Sequence, residues 1–121
     1  MTVIQYCEEG IRSVDYWSVL KEIKDHEVTY RLLALIDDDF YDGWRLNSGI
    51  VSFTNEHGLV DFHGYSGSVY RCRLEDEVIN PIMASMLAKW QAQFESPSYS
   101  IRAIGFDQFL IEWPTYKPKW I

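Results

Sequence analysis

An α+β fold, an antiparallel sheet of about five strands with two helices packed on one face, is predicted by three features of the sequence. Strand-like segments follow one another instead of alternating with helices as βαβ units would. A strong helix start, Asn80-Pro81, opens late in the chain. Apolar residues make up 47% and aromatics 16% of the 121 residues, enough to bury one core. Residues 1–121 are therefore expected to form a single globular domain whose last stretch, 113–121, is an extended tail.

Val14 to about Asp25 reads as a helix, with Ser13 as its cap and Asp15 in the first turn, where a carboxylate meets the positive end of the dipole. Tyr16, Val19, Leu20 and Ile23 fall on one stripe at helical spacing. Val28 to Ile36 is apolar with imperfect alternation, which suits a central strand covered on both faces. Trp44 to Thr54 reads as a strand with a bulge at Ser48-Gly49. Asn55-Glu56-His57-Gly58 and Tyr65-Ser66-Gly67 are turns, so Leu59–Gly64 and Ser68–Leu74 complete a three-stranded meander.

Asn80 then caps a helix with Pro81 at its first position, where the missing N–H costs nothing. Met83, Met86, Leu87, Trp90 and Phe94 form one apolar face, and Ser96-Pro97-Ser98 stops the helix. On this reading that face supplies half of the core, and Trp90→Ala is the most damaging single substitution, at roughly 3–5 kcal/mol. Tyr99–Ala103 and Gln108–Trp113 read as one or two strands around a Gly105-Phe106-Asp107 turn.

Charge narrows the functional classes. Eighteen acids against 11 bases give a formal net charge of −7. Residues 1–60 hold 11 acids and 5 bases, whereas residues 61–121 hold 7 and 6, so the acidity belongs to the first half. Direct nucleic-acid binding, which draws on Lys and Arg neutralising phosphates, is not expected. No apolar run approaches the ~18 residues of a membrane helix, and the first residues lack a signal-peptide pattern, so a cytoplasmic location and no membrane partner are expected. Cys7 and Cys72 are read as free thiols of a reducing compartment.

Asp37-Asp38-Asp39-Phe40-Tyr41-Asp42-Gly43-Trp44 is the densest constellation. Its carboxylates repel one another, and the EF-hand pattern fails, with Phe40 at the third position and Gly49 at the twelfth. Acids interleaved with aromatics instead combine charge steering with hot-spot anchors. Asp37, Asp38, Asp39, Tyr41, Asp42 and Trp44 are accordingly the expected contacts to a basic protein partner, a nuclease or nucleic-acid-binding complex whose basic surface an inhibitor or immunity-type module would occupy.

Two alternatives use other residues. Asp61 and His63 share a strand face, and with His57 or Ser66 they could serve a small enzyme or a metal-dependent ligand-binding domain. A structural homo-oligomer, in the simplest case a homodimer, could pair through Tyr6, Trp17 or Trp120. Gly64-Tyr65-Ser66-Gly67-Ser68 departs from G-x-S-x-G at its last position and leads into a strand, so Ser66 belongs to a turn. No catalytic residue, metal ligand or cofactor is assigned.

Overall fold

The computed structural model describes residues 6–8, 10–37 and 42–116. Among the described residues nine strands and two helices follow in the order β1 (Tyr6–Glu8), β2 (Ile11–Ser13), β3 (Tyr16–Lys24), β4 (Glu27–Asp37), β5 (Asp42–Leu46), β6 (Ile50–Glu56), β7 (Leu59–Gly64), β8 (Val69–Arg73), α1 (Pro81–Phe94), β9 (Tyr99–Ile104) and α2 (Phe106–Glu112). The mixed α+β class holds, but the architecture differs from the expected single sheet. The strands form a five-stranded sheet, β1-β2-β8-β7-β6, and a four-stranded sheet, β5-β4-β3-β9. All pairings are antiparallel except β2 with β8.

The largest correction concerns Val14–Asp25, which forms strand β3 and not a helix. Trp17, Ser18, Val19 and Leu20 are all buried in succession. A strand covered on both faces reads as a continuous apolar run, and within such a run the i, i+3, i+4 pattern of a helix is satisfied by accident. Trp17 and Val19 point into the core between the sheets, while Leu20 points to the opposite side. β3 pairs with β4 from Tyr16↔Leu35 to Lys24↔Glu27. Asp25 and His26, at φ 51° and 69°, close that hairpin in two residues.

β4 is the central strand that its composition implies. Tyr30, Leu32, Ala34 and Ile36 line one face, and Leu33 and Leu35 the other. Against the first face lie the inner residues of the five-stranded sheet, Ile50, Val60, Phe62, Tyr70 and Cys72, together with Phe106 and Phe109 of α2. Against the second lie Met83, Leu87 and Trp90 of α1. The helices thus cover opposite faces of the four-stranded sheet, not one face of a single sheet.

α1 starts as its sequence requires, with Asn80 Oδ1 accepting the Met83 N–H at 2.9 Å and Pro81 in the first turn. Its contribution to the core is smaller than expected. Met83 is its one buried residue, Trp90 is half-buried and Phe94 is 49% exposed. Gln108–Trp113, expected as a strand, lies in α2 and the 3-10 turn Trp113–Thr115 that follows it. Phe106, Phe109 and Trp113 are three and four residues apart, the spacing that lets all three rings meet Phe53, edge-on or tilted. Trp113 and Tyr116 pack on Tyr30, so the start of the tail folds onto the core; residues 117–121 lie outside the described residues.

Two corners carry the chain between sheets. At the first, Val14 N–H donates to Arg71 of β8 (3.0 Å) and the next residue, Asp15, donates to Leu35 of β4 (2.9 Å). At the second, Asn47 N–H still bonds Leu32 of β4 (3.0 Å), whereas the Gly49 carbonyl accepts from Tyr65 beside β7 (2.8 Å). The segment Trp44–Thr54 is therefore two strands in two sheets, and Ser48-Gly49 is a sheet switch where a bulge was expected. Gly49, at φ 134°, adopts backbone that favours glycine. Beyond the switch, the three-stranded meander β6-β7-β8 forms, but Asn55 and Glu56, expected in its first turn, extend β6, and His57 (φ 55°) with Gly58 (φ 77°) closes the hairpin.

An ionic network ties α2 to the four-stranded sheet. Glu112 accepts from Lys21 Nζ (2.8 Å), from the Tyr30 hydroxyl and from Gln108 Nε2 (2.8 Å). The Lys21 and Tyr30 hydrogen bonds, with that from Gln108, bring its carboxyl from the ordinary 4.5 down to about 2. A depressed folded-state pKa contributes stability that is present above the unfolded value and lost as pH falls through the folded one. The side chain is 20% exposed, so solvent screening reduces the contribution to about 1–2 kcal/mol. The unfolding free energy of the wild type, from urea titrations, should therefore fall between pH 5 and pH 2 by that amount more than that of Glu112→Gln. The variant should be the less stable protein at pH 7, and parallel profiles would show that the network contributes nothing.

Candidate functional site

The acidic constellation maps onto the β4–β5 hairpin. Strand pairing runs Leu33↔Leu46, Leu35↔Trp44, Ile36↔Gly43 and Asp37↔Asp42, so the two outermost paired positions are both aspartates. Asp38, Asp39, Phe40 and Tyr41 connect them and lie outside the described residues. Trp44 is half-buried on the α1 side of the sheet, where it meets the Trp90 ring edge-on at 6.4 Å. Arg31 stacks over the same Trp90 at 5.9 Å and donates to the Asn47 carbonyl (2.9 Å). Trp44 thus anchors the base of the hairpin to α1 through packing.

Several cations that could neutralise this region are engaged elsewhere. Lys21 pairs with Glu112, Arg31 with Glu22 (3.3 Å), Arg71 with Asp61 (2.8 Å) and Arg73 with Glu75 (2.7 Å) and Asp76 (3.7 Å). Glu22 also accepts the Tyr99 hydroxyl at 2.6 Å; desolvation and that carboxylate push the phenol pKa up.

Next to the hairpin lies a cleft of about 300 Å³ lined by Asp15, Tyr16, Leu35, Arg73 and Asp76. Leu35 is two residues before Asp37, and Tyr16 is its partner across the β3–β4 pair. Sequence reasoning missed this grouping, because residues 15 and 76 come together only through the sheet corner at Val14 and the return of the chain past Trp17. The return is visible in the Val78 N–H bond to the Trp17 carbonyl at 2.9 Å.

Asp61 and His63 do share the outer face of β7, but the geometry spends Asp61 on another partner. Arg71, directly opposite in the β7–β8 register, donates to both carboxylate oxygens at 2.8 Å. A bidentate pair of this kind takes one lone pair on each oxygen and offsets the carboxylate's charge, which makes Asp61 a poorer partner for a metal or a histidine. A shallow depression of about 140 Å³ over the pair is lined by Thr54, Glu56, His57, Leu59, Asp61 and Arg71. Among the described residues no three His, Cys, Asp or Glu side chains are grouped to hold a metal ion. Ser66 sits in its turn, with its N–H on Ser48 Oγ (2.9 Å) and its hydroxyl 3.3 Å from that of Ser68.

Cys72 is a free thiol with no exposed surface, and burial pushes its pKa well up, which disfavours the thiolate that nucleophilic chemistry requires. Trp17, one of the residues considered for oligomer contacts, is fully buried and cannot reach a second molecule; Tyr6 and Trp120 have side chains outside the described set. Among the described residues no helix is long and apolar enough to cross a membrane. Compared with known proteins, the chain matches no family model, no curated protein and no solved structure.

Proposed function

We propose that this chain is a small acidic binding protein, an inhibitor or immunity-type module whose β4–β5 hairpin covers the nucleic-acid-binding surface of a basic partner. Asp37, Asp38, Asp39, Tyr41 and Asp42 make the contact, with Trp44 fixing the hairpin base on α1. The supporting observation is the pairing Asp37↔Asp42 at the hairpin's end. Like charges directly opposite each other destabilise a strand pair, so a sequence that carries them there has a use for negative potential at that point. Such a surface speeds encounter with a cationic partner and excludes acidic ones.

The test compares two charge-reversed proteins of equal net charge on a poly-lysine column run in a salt gradient. Asp38→Lys/Asp39→Lys should elute at clearly lower salt than Glu95→Lys/Asp107→Lys, whose exposed positions are in α1's C-cap and in α2. Equal elution would mean that only the overall charge matters and would remove the hairpin as a site. A partner then captured from the native source should show an association rate that falls with salt and falls again in the hairpin variant.

A further inference from the structure

We infer that the open edge of β6 pairs with the same edge of a second copy of this chain, joining two five-stranded sheets into one across a two-fold axis. The surface is distinct from the acidic hairpin and does not depend on the role given to it. In antiparallel sheets, alternate residues turn their N–H and C=O groups away from the neighbouring strand. His57-Gly58 is a two-residue turn, which makes Glu56↔Leu59 a hydrogen-bonded pair, and with it Thr54↔Asp61. Phe53 and Asn55 therefore direct their backbone groups outward, and among the described residues β6 has no strand on that side.

The other open edges with described side chains are protected. On β9, the outward carbonyl of Ile101 accepts from Gln91 Nε2 of α1 at 2.8 Å. On β5, the outward carbonyl of Trp44 accepts from Arg45 at 2.9 Å, and the strand itself carries Asp42 and Arg45. β6, with the sequence Ile-Val-Ser-Phe-Thr-Asn-Glu, has no proline, no lysine and no charge before its last residue. Folded proteins guard exposed edges with such devices, and an edge left without them is a template for another strand.

The occupant is set by the strand's own symmetry. The register shift between Ile50 and Ser52 confines the regular edge to Ser52–Glu56, whose midpoint is Thr54. In an antiparallel pair centred there, Phe53 meets Asn55 of the partner subunit in a hydrogen-bonded pair, twice over, for about four backbone bonds. Thr54 meets Thr54 of the partner subunit, a favourable cross-strand pair, and Glu56 faces Ser52 of the partner subunit, so no like charges are opposed. Ser52–Asn55 carries no charge of its own to add to the repulsion between two molecules of net charge −7.

Sedimentation equilibrium on the full chain tests this directly. The wild type should show twice the chain mass at high concentration, with the dimer strengthened as salt rises from about 0.05 to 0.5 M, because screening relieves the repulsion between copies. Asn55→Lys, at an exposed position, should raise the dimer dissociation constant roughly tenfold or more, since each added ammonium is set against Phe53 of the partner subunit and the two-fold axis repeats that desolvation cost. Circular dichroism should show it folded. Thr54→Cys in a Cys7→Ser background should oxidise to a covalent dimer, the directly opposed positions being close enough for a disulfide. Asp38→Lys/Asp39→Lys should leave the β6 pairing intact, which separates this interface from the acidic hairpin. A monomeric wild type at the highest concentration reached, a dimer indifferent to Asn55→Lys, or a Thr54→Cys protein that stays monomeric under oxidation would each overturn the inference.

Discussion

Trp17→Ala should leave the chain largely unfolded at 25 °C. The indole is fully buried between the sheets, with the Phe62 and Phe106 rings each at 5.4 Å. Its Nε1–H donates to the Arg73 carbonyl at 2.7 Å, and its backbone carbonyl receives Val78 N–H as the chain returns from β8 toward α1. Removing the ring creates a cavity where three elements meet and strands the Arg73 carbonyl, for a combined loss of about 5 kcal/mol. A domain of ordinary stability has as little as ~5 kcal/mol to lose. Trp90→Ala, by contrast, uncovers a half-buried ring on the outer face and should cost about 1–2 kcal/mol. Trp17→Phe keeps an aromatic ring but loses the donor, and should fall between them. Urea unfolding followed by far-ultraviolet circular dichroism orders the three variants. A Trp17→Ala midpoint equal to or above that of Trp90→Ala would show that the inter-sheet layer is not the principal core.

This reverses the ranking that the sequence suggests, for an identifiable reason. α1 was legible because two independent signals agree at one place, the Asn80-Pro81 start and a five-residue apolar face. The meander was legible because His57-Gly58 and Gly67 sit at the positions where hairpins turn. β3 was not, because burial on both faces erases the alternation by which a strand is recognised, and because Asp25-His26 closes a hairpin without the usual glycine. α2 escaped notice because seven residues are barely two turns. A reading that places one sheet where there are two also assigns the core to the wrong helix.

The candidate site divides along similar lines. The acidic run and its hairpin were readable locally, since Asp37 and Asp42 flank a short connection between two apolar strands. Asp61 and His63 were correctly placed on one face of β7, yet the partner that decides Asp61's fate, Arg71, lies on the next strand. Its register follows from the Tyr65–Gly67 turn, so the ion pair could have been anticipated by counting back from that turn. The cleft joining Asp15 to Asp76 offered no such route, being made by a sheet corner that the sequence does not mark.

Asn47→Ala should cost about 3 kcal/mol, a large effect for removing two polar atoms, and it tests what builds the second corner. Asn47 is 3% exposed, and its Oδ1 accepts the backbone N–H of Leu32 (2.8 Å) and of Gly49 (3.2 Å). One side-chain oxygen thus completes the edge of β4 where β5 departs, and holds the first residues of the path into the other sheet. Alanine would leave both donors buried and unpaired, each at ~1–3 kcal/mol, with partial relief by local relaxation. Among the described residues the Nδ2 of Asn47 has no hydrogen-bond partner, so the amide nitrogen adds little and the acceptor is the element that matters. Asn47→Asp preserves an oxygen at Oδ1 and discards that idle donor. It should therefore lose clearly less than alanine, about 1–2 kcal/mol, the residual cost coming from charge at a buried position that Arg31, bonded to the Asn47 carbonyl, partly offsets. Hydrogen exchange at the Leu32 and Gly49 amides should accelerate in Asn47→Ala and stay near wild type in Asn47→Asp. Equal losses in the two variants, with both amides still protected, would place the corner's stability in packing around Gly64 and Ile50 and not in the side-chain acceptor.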